Sequence, residues 1–466
     1  MNKKPNVILI TIDSLRADHL GFMGYKKNTS PNIDALAKES VVFTNAFSNG
    51  PVTLHSFPSI ITSTYPLDYQ GPRKIERPRV LISEILQKNG YITALFSSNA
   101  YLSDFFGYNR GWDFFEDINP LRETTINDDI KDNLTRSIKE VAFTFFPQFY
   151  FWIKYLQYRN TGVKNGRSGP NFWGNRVTAS YLNQIVKDFI VGIEKEKKPF
   201  FVWIHYMDVH SPYFPLSFYL NDKPLSFQEL MASGLTGWFA AYPQKKIFKK
   251  FAERNIEQSR NLYDSAIKYT DLEIGNLLNF LKKEKVYENS IIFLTADHGD
   301  EFLEHGGGGH SAKLYNELLH IPLIAKIPQF EPRKIKTKVS LIDLTPTICD
   351  VLKIRRCPSF KGENLLKRSD SPIFHQTGHK KTKDGKNITF AEVDNISQCK
   401  IACQTVDWKY ILDHGNNQEE LYNLSEDPRE KKNLAFEESS VLLKMRKMIQ
   451  EFENKNPPLS LINKDS

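Results

Sequence analysis

Short runs of consecutive apolar and β-branched residues recur along the chain and constrain its fold more than any other feature. They are NVILITID, YITALFSS, PFFVWIHYMD, NSIIFLTADHG and IPLIAKIP. Runs without polar alternation are typical of strands that are buried on both faces of a parallel sheet. Helical patterns lie between them, among them SPNIDALAKES, VLISEILQKNG and LEIGNLLNFLKKEK. The alternation predicts an α/β fold in which a mostly parallel sheet is sandwiched by helices.

The pattern changes near residue 387, where short alternating runs begin. ITFAEV, KIACQTV and WKYILD are separated by turn residues, which predicts a small antiparallel sheet. Residues 437–454 then have the apolar spacing of a helix. We therefore predict a catalytic α/β domain over residues 1–370 and a C-terminal α+β subdomain over residues 371–466.

Charge and cysteine content narrow the choice of partners and compartment. The 466 residues include 62 Lys and Arg against 54 Asp and Glu, a formal charge of +8. Because this charge is spread along the chain, it predicts no nucleic-acid partner and suits an anionic substrate or an acidic membrane surface. The first apolar run is shorter than a signal-peptide core, and the four cysteines are scattered. We therefore expect a cytoplasmic protein with free thiols, with peripheral contact to the membrane surface as one alternative.

Acidic and histidine side chains stand where several predicted strands end. Asp13, Asp208 and the Asp297–His298 pair each follow an apolar run. Ligands of parallel α/β sheets bind at the carboxyl ends of the strands, so we expect these residues to meet in one crevice. Two carboxylates and an imidazole form a plausible divalent-metal site. The alternative is that Asp297 caps a turn and the histidines are solvated.

Further histidines lie near the same predicted crevice. The Gly-rich segment TADHGDEFLEHGGGGHS also offers Glu304, His305 and His310. In WIHYMDVHSPYFP, strand alternation puts His205 and His210 on different faces, so we interpret His205 as structural. His210 lies beyond the strand and is free to reach the crevice.

The segment SNGPVTLHSFPSIITSTYP, residues 48–66, is rich in hydroxyl groups and prolines. Taken alone, it is explained by helix capping, because Ser, Thr and Pro collect at helix starts. A nucleophilic Ser or Thr would need activation by a base or a metal. Both interpretations stay open on these residues.

These segments, in this order, resemble the sulfatase family of the alkaline phosphatase superfamily over nearly the whole chain. PNVILITIDSLRADHLGFMGY is similar to the family's N-terminal strand and metal loop, and TLHSFPSIITSTYP to its nucleophile segment. NSIIFLTADHGDEFLEHGGGGHSAKLYNELLHIPLI resembles its second metal segment, and DWKYILDHGNNQEELYNLSEDPREKKNLA its C-terminal tail. The resemblance implies an alkaline-phosphatase-like fold and a metal-dependent ester hydrolase or transferase.

The resemblance places Thr53 at the nucleophile position of the family's Cys/Ser-x-Pro-x-Arg signature. Family members oxidise that Cys or Ser to formylglycine; a threonine carries a methyl group that blocks the reaction, so no formylglycine is expected. His55 and Phe57 replace the signature Pro and Arg, and Ser14 replaces a second aspartate. LFSSNAYLS also lacks the Lys and His of the family's GKWH segment. Much of the usual sulfate clamp is therefore missing.

The resemblance also implies a division of roles in the site. It implies four ligands of one divalent ion: Asp13, Thr53, Asp297 and His298. His298 replaces the family's Asn, which moves the expected preference from Ca²⁺ towards Mn²⁺, Zn²⁺ or Mg²⁺. Thr53 would attack the ester, while His210 and His310 bind its oxygens or protonate the leaving group.

In having a threonine as the nucleophile, the chain resembles the phosphoethanolamine transferases and lipoteichoic acid synthases of the superfamily. This second resemblance favours phosphodiester or phosphonate esters within the wider class of sulfate and phosphate esters. It also implies that the anionic substrate is linked to a lipid or a glycan. One alternative is a sulfuric ester hydrolase that works without formylglycine. Another is a non-catalytic binding protein on the same fold.

An aromatic insertion, EVAFTFFPQFYFWIKYLQYR, occupies residues 140–159 within a longer insertion over 140–170. Basic residues flank it, a pattern that suits a lid or a lipid interface beside the site. An aromatic helix packed in the core explains the same composition. Both interpretations stay open.

Overall fold

The computed structural model describes residues 4–117 except 70 and 73, and residues 177–216, 226–241, 246–378 and 399–457. The aromatic insertion at 140–159 and the ITFAEV segment lie outside the described residues, as does the C-terminal tail from residue 458. Among the helices of the described ranges, none is long and apolar enough to cross a membrane.

A nine-stranded sheet forms the centre of the described structure. Its strands are β1 (Asn6–Ile12), β2 (Val41–Phe47), β3 (Ile92–Ser97), β4 (Phe114–Asp117), β5 (Phe200–Tyr206) and β6 (Ser290–Ala296), then β9 (His320–Lys326), β10 (Arg333–Ile335) and β11 (Val339–Ser340). Between β6 and β9, the two-residue strands β7 (Glu301–Phe302) and β8 (Gly308–Gly309) pair in a small hairpin. The sheet order is β10-β2-β9-β6-β1-β5-β3-β4, and β11 pairs with β2.

Most neighbouring strands of this sheet are parallel, as predicted. β1 lies between β5 and β6 and is parallel to both, and each residue of these three strands is buried. Burial on both faces explains why their sequences show no polar alternation.

β9 differs from the prediction for IPLIAKIP. It is antiparallel to both of its neighbours, β2 and β6. The chain leaves the carboxyl end of β6, forms the loop over residues 297–319 and enters β9 from the same end of the sheet. Without a crossover to the other end, the returning strand must be antiparallel.

Two groups of contacting helices occur among the described helices. They are α1 (Pro31–Lys38), α2 (Thr53–Thr62), α3 (Ile82–Lys88), α4 (Ala179–Ile193), α5 (Phe227–Ala241), α6 (Lys246–Lys283), α7 (Asn316–Leu319), α8 (Leu344–Val351) and α9 (Ser439–Lys455). α6 contacts α1, α4 and α5, whereas α2 contacts α3 and α8. This is the mixed α/β sandwich that the sequence predicts.

A separate antiparallel sheet follows the main one. Its strands, in spatial order, are β12 (Ile373–Gly378), β13 (Cys399–Gln404), β14 (Trp408–Asp413) and β15 (Gln418–Asn423). α9 packs on this sheet through Leu442, Met445, Ile449 and Phe452. β12 also holds the segment before α2, because Gln376 N donates a hydrogen bond to Asn49 O at 2.8 Å. The antiparallel sheet and terminal helix confirm the predicted C-terminal architecture, while the exact boundary at residue 370 stays a prediction.

Candidate active site

Asp13 follows β1 directly, and its carboxylate is fully buried. Ser14 Oγ donates a hydrogen bond to Asp13 Oδ1 at 2.8 Å, and Asn99 Nδ2 donates to Oδ2 at 3.1 Å. Burial alone would raise the pKa of Asp13, but His210 and a hydrogen bond from His205 hold it well below its usual range. Asp13 is therefore a carboxylate within the protein interior.

Ser14 stands where the resemblance implies a second aspartate. Its φ of 60° lies in the left-handed region, which is uncommon and strained for a residue other than glycine. In this conformation the Ser14 N–H donates a hydrogen bond to Asp297 Oδ1 at 3.1 Å. The strained turn thus connects the two aspartates, with its side chain on Asp13 and its backbone on Asp297.

Thr53 is the first residue of α2, and its side chain is buried. Thr53 Oγ1 lies 3.1 Å from His298 Nε2 and 3.4 Å from Asp13 Oδ2. The hydroxyls of Ser56 and Ser59 instead donate hydrogen bonds to backbone carbonyls. The start of a helix carries a partial positive charge that favours an anion. Among these three hydroxyls, Thr53 is the one placed for chemistry.

Asp297 and His298 follow β6 and face Asp13 from the neighbouring strand. Asp297 Oδ1 accepts hydrogen bonds from the backbone of Ser14 and His298, but within the described structure the buried Oδ2 has no hydrogen-bond partner. Burial and the charge of Asp13 raise the pKa of Asp297 well above its usual range. A buried carboxyl group beside a second carboxylate ionises less readily, which explains the direction of this shift.

The tautomer of His298 is fixed by its own loop. His298 Nδ1 donates a hydrogen bond to Gly299 O at 2.9 Å, which leaves the lone pair of Nε2 facing Thr53. Burial and the neighbouring His310 lower the pKa of His298 to about 3. The imidazole is therefore neutral, as a metal ligand must be.

These residues fit a divalent cation. Ligand atoms of Asp13, Asp297 and His298 all lie within 4.8 Å of one another. The group combines two carboxylates and a neutral imidazole, and one of its buried carboxylate oxygens has no hydrogen-bond partner among the described residues. Such a donor set would hold a metal ion that supplies Lewis-acid activation to the adjacent hydroxyl and ester oxygens.

His205 and Asn99 also belong to the site, although the sequence interpretation did not include them. His205 Nε2 lies 3.3 Å from Asp13 Oδ2, beside the Asn99 amide. His205 pairs in register with Thr11 of β1, two residues before Asp13. Only the strand order reveals this neighbour. The alternation that separates His205 from His210, and led to its interpretation as structural, could not assign it a place beside Asp13.

His210 and His310 lie together at the group of ligand atoms, as the sequence predicts. The His310 ring centroid is 4.3 Å from that of His298 and 5.0 Å from that of His210. His310 Nδ1 donates a hydrogen bond to Asp300 Oδ1 at 2.8 Å. Burial lowers the pKa of His310, but the bond to Asp300 outweighs it and the pKa is raised.

Glu304 and His305, which the sequence analysis also named in this loop, form hydrogen bonds that hold the loop in place. Glu304 Oε1 accepts a hydrogen bond from Arg16 Nη1 at 2.9 Å. His305 Nδ1 lies 2.5 Å from Glu317 Oε1, and His305 Nε2 lies 2.9 Å from Glu430 O. His305 therefore positions the loop.

Asp208 does not join the metal-ligand group of the described residues, contrary to expectation. It is buried, and together with burial its charge raises the pKa values of Tyr206 and Tyr269.

The model of the sulfatase family matches residues 5–354, three quarters of the chain. The chain belongs to the sulfatase family. A second model, for the C-terminal region of N-sulphoglucosamine sulphohydrolase, matches residues 309–455. This sulfatase-family protein is thus an ester hydrolase, and its family typically binds a divalent metal.

Relatives of this sulfatase-family protein span most of its length. It is 23% identical over 460 residues to arylsulfatase K of Mus musculus, covering 94% of this chain and 77% of the relative. It is 24% identical over 530 residues to the N-acetylgalactosamine-6-O-sulfatase of Bacteroides thetaiotaomicron, covering 96% and 93%. The phosphonate monoester hydrolase of Silicibacter pomeroyi superimposes with a TM-score of 0.69 at 17% identity, covering 98% of this chain and 97% of that structure. That structural likeness shows the shared fold.

Gly299 gives a first test of the loop. A Cβ atom there would lie 2.2 Å from Glu317 O and 3.0 Å from Arg16 Cγ. Because Glu317 O is a backbone atom that cannot move aside alone, we expect Gly299→Ala to destabilise the protein by about 1–3 kcal/mol and to lower activity by displacing His298. Thermal unfolding and ester hydrolysis would measure the two effects.

Gly192→Ala is the matched control. Gly192 lies in α4, and beyond its own helix no atom of the described residues lies within 4 Å of its added Cβ. We expect it to be neutral, or stabilising by up to about 1 kcal/mol. Equal stability and activity of the two variants would contradict the tight packing of the loop.

Proposed function

We propose that this protein hydrolyses, or transfers to an acceptor, the anionic group of sulfate, phosphate or phosphonate esters through Thr53 as nucleophile. Within that class we propose phosphodiesters and phosphonate monoesters as the preferred substrates. The observation that carries the proposal is the position of Thr53 Oγ1, 3.1 Å from His298 Nε2 and 3.4 Å from Asp13 Oδ2. A hydroxyl needs such neighbours, together with a metal, to become a nucleophile at neutral pH.

The charge of the site supports monoanionic substrates. Phe57 is fully buried where the family signature has an arginine. No described Lys or Arg forms an ion pair with Asp13 or Asp297, and the cationic candidates around them are histidines. Phosphodiesters, phosphonate monoesters and sulfate esters carry one negative charge, whereas a phosphate monoester carries about two at neutral pH. A site with few cations therefore favours the monoanions.

The residues suggest a two-step reaction. The Thr53 hydroxyl would first lose its proton to solvent. Thr53 Oγ then forms a bond to phosphorus or sulfur while the bond to the leaving oxygen breaks, and Nε2 of the protonated His310 ring gives its proton to that oxygen. His210 hydrogen-bonds the non-bridging oxygens. Water or an acceptor alcohol then gives a proton to His310 Nε2 and attacks the threonyl ester, and the bond to Thr53 Oγ breaks to release Thr53. General acid catalysis of this kind contributes about 10² to 10⁴ in rate.

We propose that Asp13, Thr53, Asp297 and His298 bind one divalent ion. An imidazole ligand favours Mn²⁺, Zn²⁺ or Mg²⁺ over Ca²⁺, which prefers oxygen ligands. The ion would lower the pKa of the Thr53 hydroxyl and withdraw charge from the ester oxygen.

Sulfate ester hydrolysis without formylglycine is the second candidate. The observation that favours it is the family itself, whose relatives above are named for arylsulfatase and N-acetylgalactosamine-6-O-sulfatase activities. A sulfated glycan is the substrate that this candidate predicts. A lipid-linked substrate with membrane contact rests on the aromatic insertion at 140–159, which the structure does not describe.

A panel of chromogenic esters tests the proposal. With Mn²⁺ present, we expect kcat/KM for p-nitrophenyl methylphosphonate and for bis-p-nitrophenyl phosphate to exceed that for p-nitrophenyl phosphate and p-nitrophenyl sulfate by about tenfold or more, a difference of about 1.4 kcal/mol in transition-state binding. The control is the same panel with the Thr53→Ala variant, whose rates measure the background hydrolysis to be subtracted.

A reversed order, with the sulfate ester the best substrate, would favour the second candidate. Metal binding with no turnover of any ester would support a non-catalytic binding protein.

A further inference from the structure

Asp300 lies two residues after His298, but its carboxylate is hydrogen-bonded to residues other than the proposed metal ligands. Its carboxylate is fully buried. Asp300 Oδ1 accepts the hydrogen bond from His310 Nδ1 at 2.8 Å, and Oδ2 accepts one from the Tyr213 hydroxyl at 2.5 Å. Arg16 Nη1 also donates to Asp300 O at 2.9 Å, which fixes the backbone of the residue.

The same residues could be viewed as a second cation site, because ligand atoms of His298, Asp300 and His310 lie within 4.8 Å of one another. The hydrogen bonds argue against that use. Both oxygens of Asp300 already accept a hydrogen bond, and His298 Nδ1 donates to Gly299 O while its Nε2 faces Thr53. We therefore interpret the Asp300 carboxylate as a hydrogen-bond acceptor for His310 and not as a metal ligand.

We propose that Asp300, itself held by Tyr213, is a positioning residue that orients His310 for proton transfer to the leaving group. This inference rests on the proposed function, in which His310 is the proton donor. Because Nδ1 is bound to Asp300, Nε2 is the ring nitrogen left to meet the ester. A carboxylate that accepts the Nδ1 proton fixes both the tautomer and the ring orientation of a histidine.

Tyr213 reaches the pair from a different part of the chain. It lies three residues after His210, its side chain is buried, and its ring packs 5.2 Å from Tyr263 and 5.9 Å from Phe302. These aromatic contacts hold the phenol in place, so its hydroxyl fixes Asp300 Oδ2. The three groups Tyr213, Asp300 and His310 thus form one hydrogen-bonded chain that ends at the site.

The experiment compares Asp300→Asn, Tyr213→Phe and His310→Ala, singly, and Asp300→Asn combined with His310→Ala. The probes are p-nitrophenyl and phenyl methylphosphonate with Mn²⁺, or the matching aryl sulfates if sulfate is the preferred ester. The phenyl ester has the poorer leaving group and depends more on a proton donor. Tyr213→Phe removes one hydroxyl and keeps the ring, so it tests the inference even if Asp300→Asn fails to fold.

The matched control is Asp264→Asn. Asp264 Oδ1 lies 2.8 Å from His19 Nδ1, so it also pairs a buried carboxylate with a histidine, and neither residue belongs to the ligand groups of the described structure. We expect this variant to keep kcat within about threefold of wild type. Its loss of stability then provides the baseline for replacing a buried, histidine-bound aspartate.

We expect Asp300→Asn to lower kcat for the phenyl ester by about 10- to 100-fold, the scale of a misplaced catalytic group, with KM changed by less than about threefold. Its effect on the p-nitrophenyl ester should be smaller, and Tyr213→Phe should show the same pattern more weakly. In the His310→Ala background, Asp300→Asn should cause no further loss.

Three results would overturn the inference: equal losses for both leaving groups, losses that multiply with those of His310→Ala, or an equal loss in Asp264→Asn. If His310→Ala lowers kcat but Asp300→Asn does not, the positioning role alone fails. If His310→Ala leaves kcat unchanged on both esters, the proposed proton donor fails and the positioning role fails with it.

Discussion

Replacing Thr53 with alanine should lower kcat by about 10⁴-fold or more, the scale seen when a nucleophile is removed from an enzyme. The reason is the position of its hydroxyl between His298 Nε2 and Asp13 Oδ2, which no other hydroxyl of α2 shares among its described contacts. Because Val52 rather than Thr53 precedes the helix as its cap, the variant should fold normally. Steady-state kinetics and thermal unfolding would measure both results.

Three variants control this experiment. Ser56→Ala and Ser59→Ala remove hydroxyls of the same helix that bond only to backbone carbonyls, so they should keep most of the activity. Thr53→Ser keeps the nucleophilic oxygen and should retain far more activity than Thr53→Ala. A Thr53→Ala variant with most of the wild-type kcat would remove the nucleophile assignment.

Replacing Asp297 with asparagine should abolish metal binding and lower kcat by about 10³-fold, since the charge stabilisation that a metal supplies is several kcal/mol and each 1.36 kcal/mol is tenfold. The structural reason is that Asp297 Oδ2 is a buried ligand atom to which no group in the described ranges donates a hydrogen bond. Elemental analysis should find one divalent ion per wild-type chain and none in the variant. Two ions per wild-type chain, or full occupancy in the variant, would contradict the site.

Although Asp297→Asn should lower activity, we expect it to leave the stability of the metal-free protein unchanged or to raise it. In the metal-free protein, burial and Asp13 raise the pKa of Asp297, so its ionised form costs folding free energy at neutral pH. Metal-free Asp297→Asn should therefore unfold at the same or a higher temperature than metal-free wild type. Added Mn²⁺ should raise the Tm of wild type only, because a ligand that binds the native state stabilises it.

The parts of the site that the sequence predicts are those set by local pattern. β1 and β6 are continuous apolar runs, and their carboxyl ends lie side by side because the strands are parallel neighbours. Asp13, Asp297 and His298 could therefore be brought together from the strand pattern and the general rule for ligand sites in such sheets. Thr53 required the family resemblance, since its segment alone is typical of any helix start.

The parts that the sequence does not predict depend on which elements become neighbours. His205 and Asn99 reach Asp13 because β5 lies beside β1 and β3 lies beside β5, an order that no local pattern encodes. Tyr213 and Asp300 meet across 87 positions of the chain. The direction of β9 likewise follows from the loop that precedes it rather than from its own residues, which resemble those of a parallel strand.

The covalent role of Thr53 can be measured directly by quenching wild-type protein in acid during turnover of p-nitrophenyl methylphosphonate and sequencing its peptides by mass spectrometry. The same reaction, followed by rapid mixing, should release a burst of about one p-nitrophenol per site as the nucleophile is consumed. We predict that the phosphonyl group is found on Thr53, within the peptide that spans residues 48–66. A burst accompanied by an unmodified Thr53, or by the phosphonyl group on another residue, would contradict the proposed nucleophile.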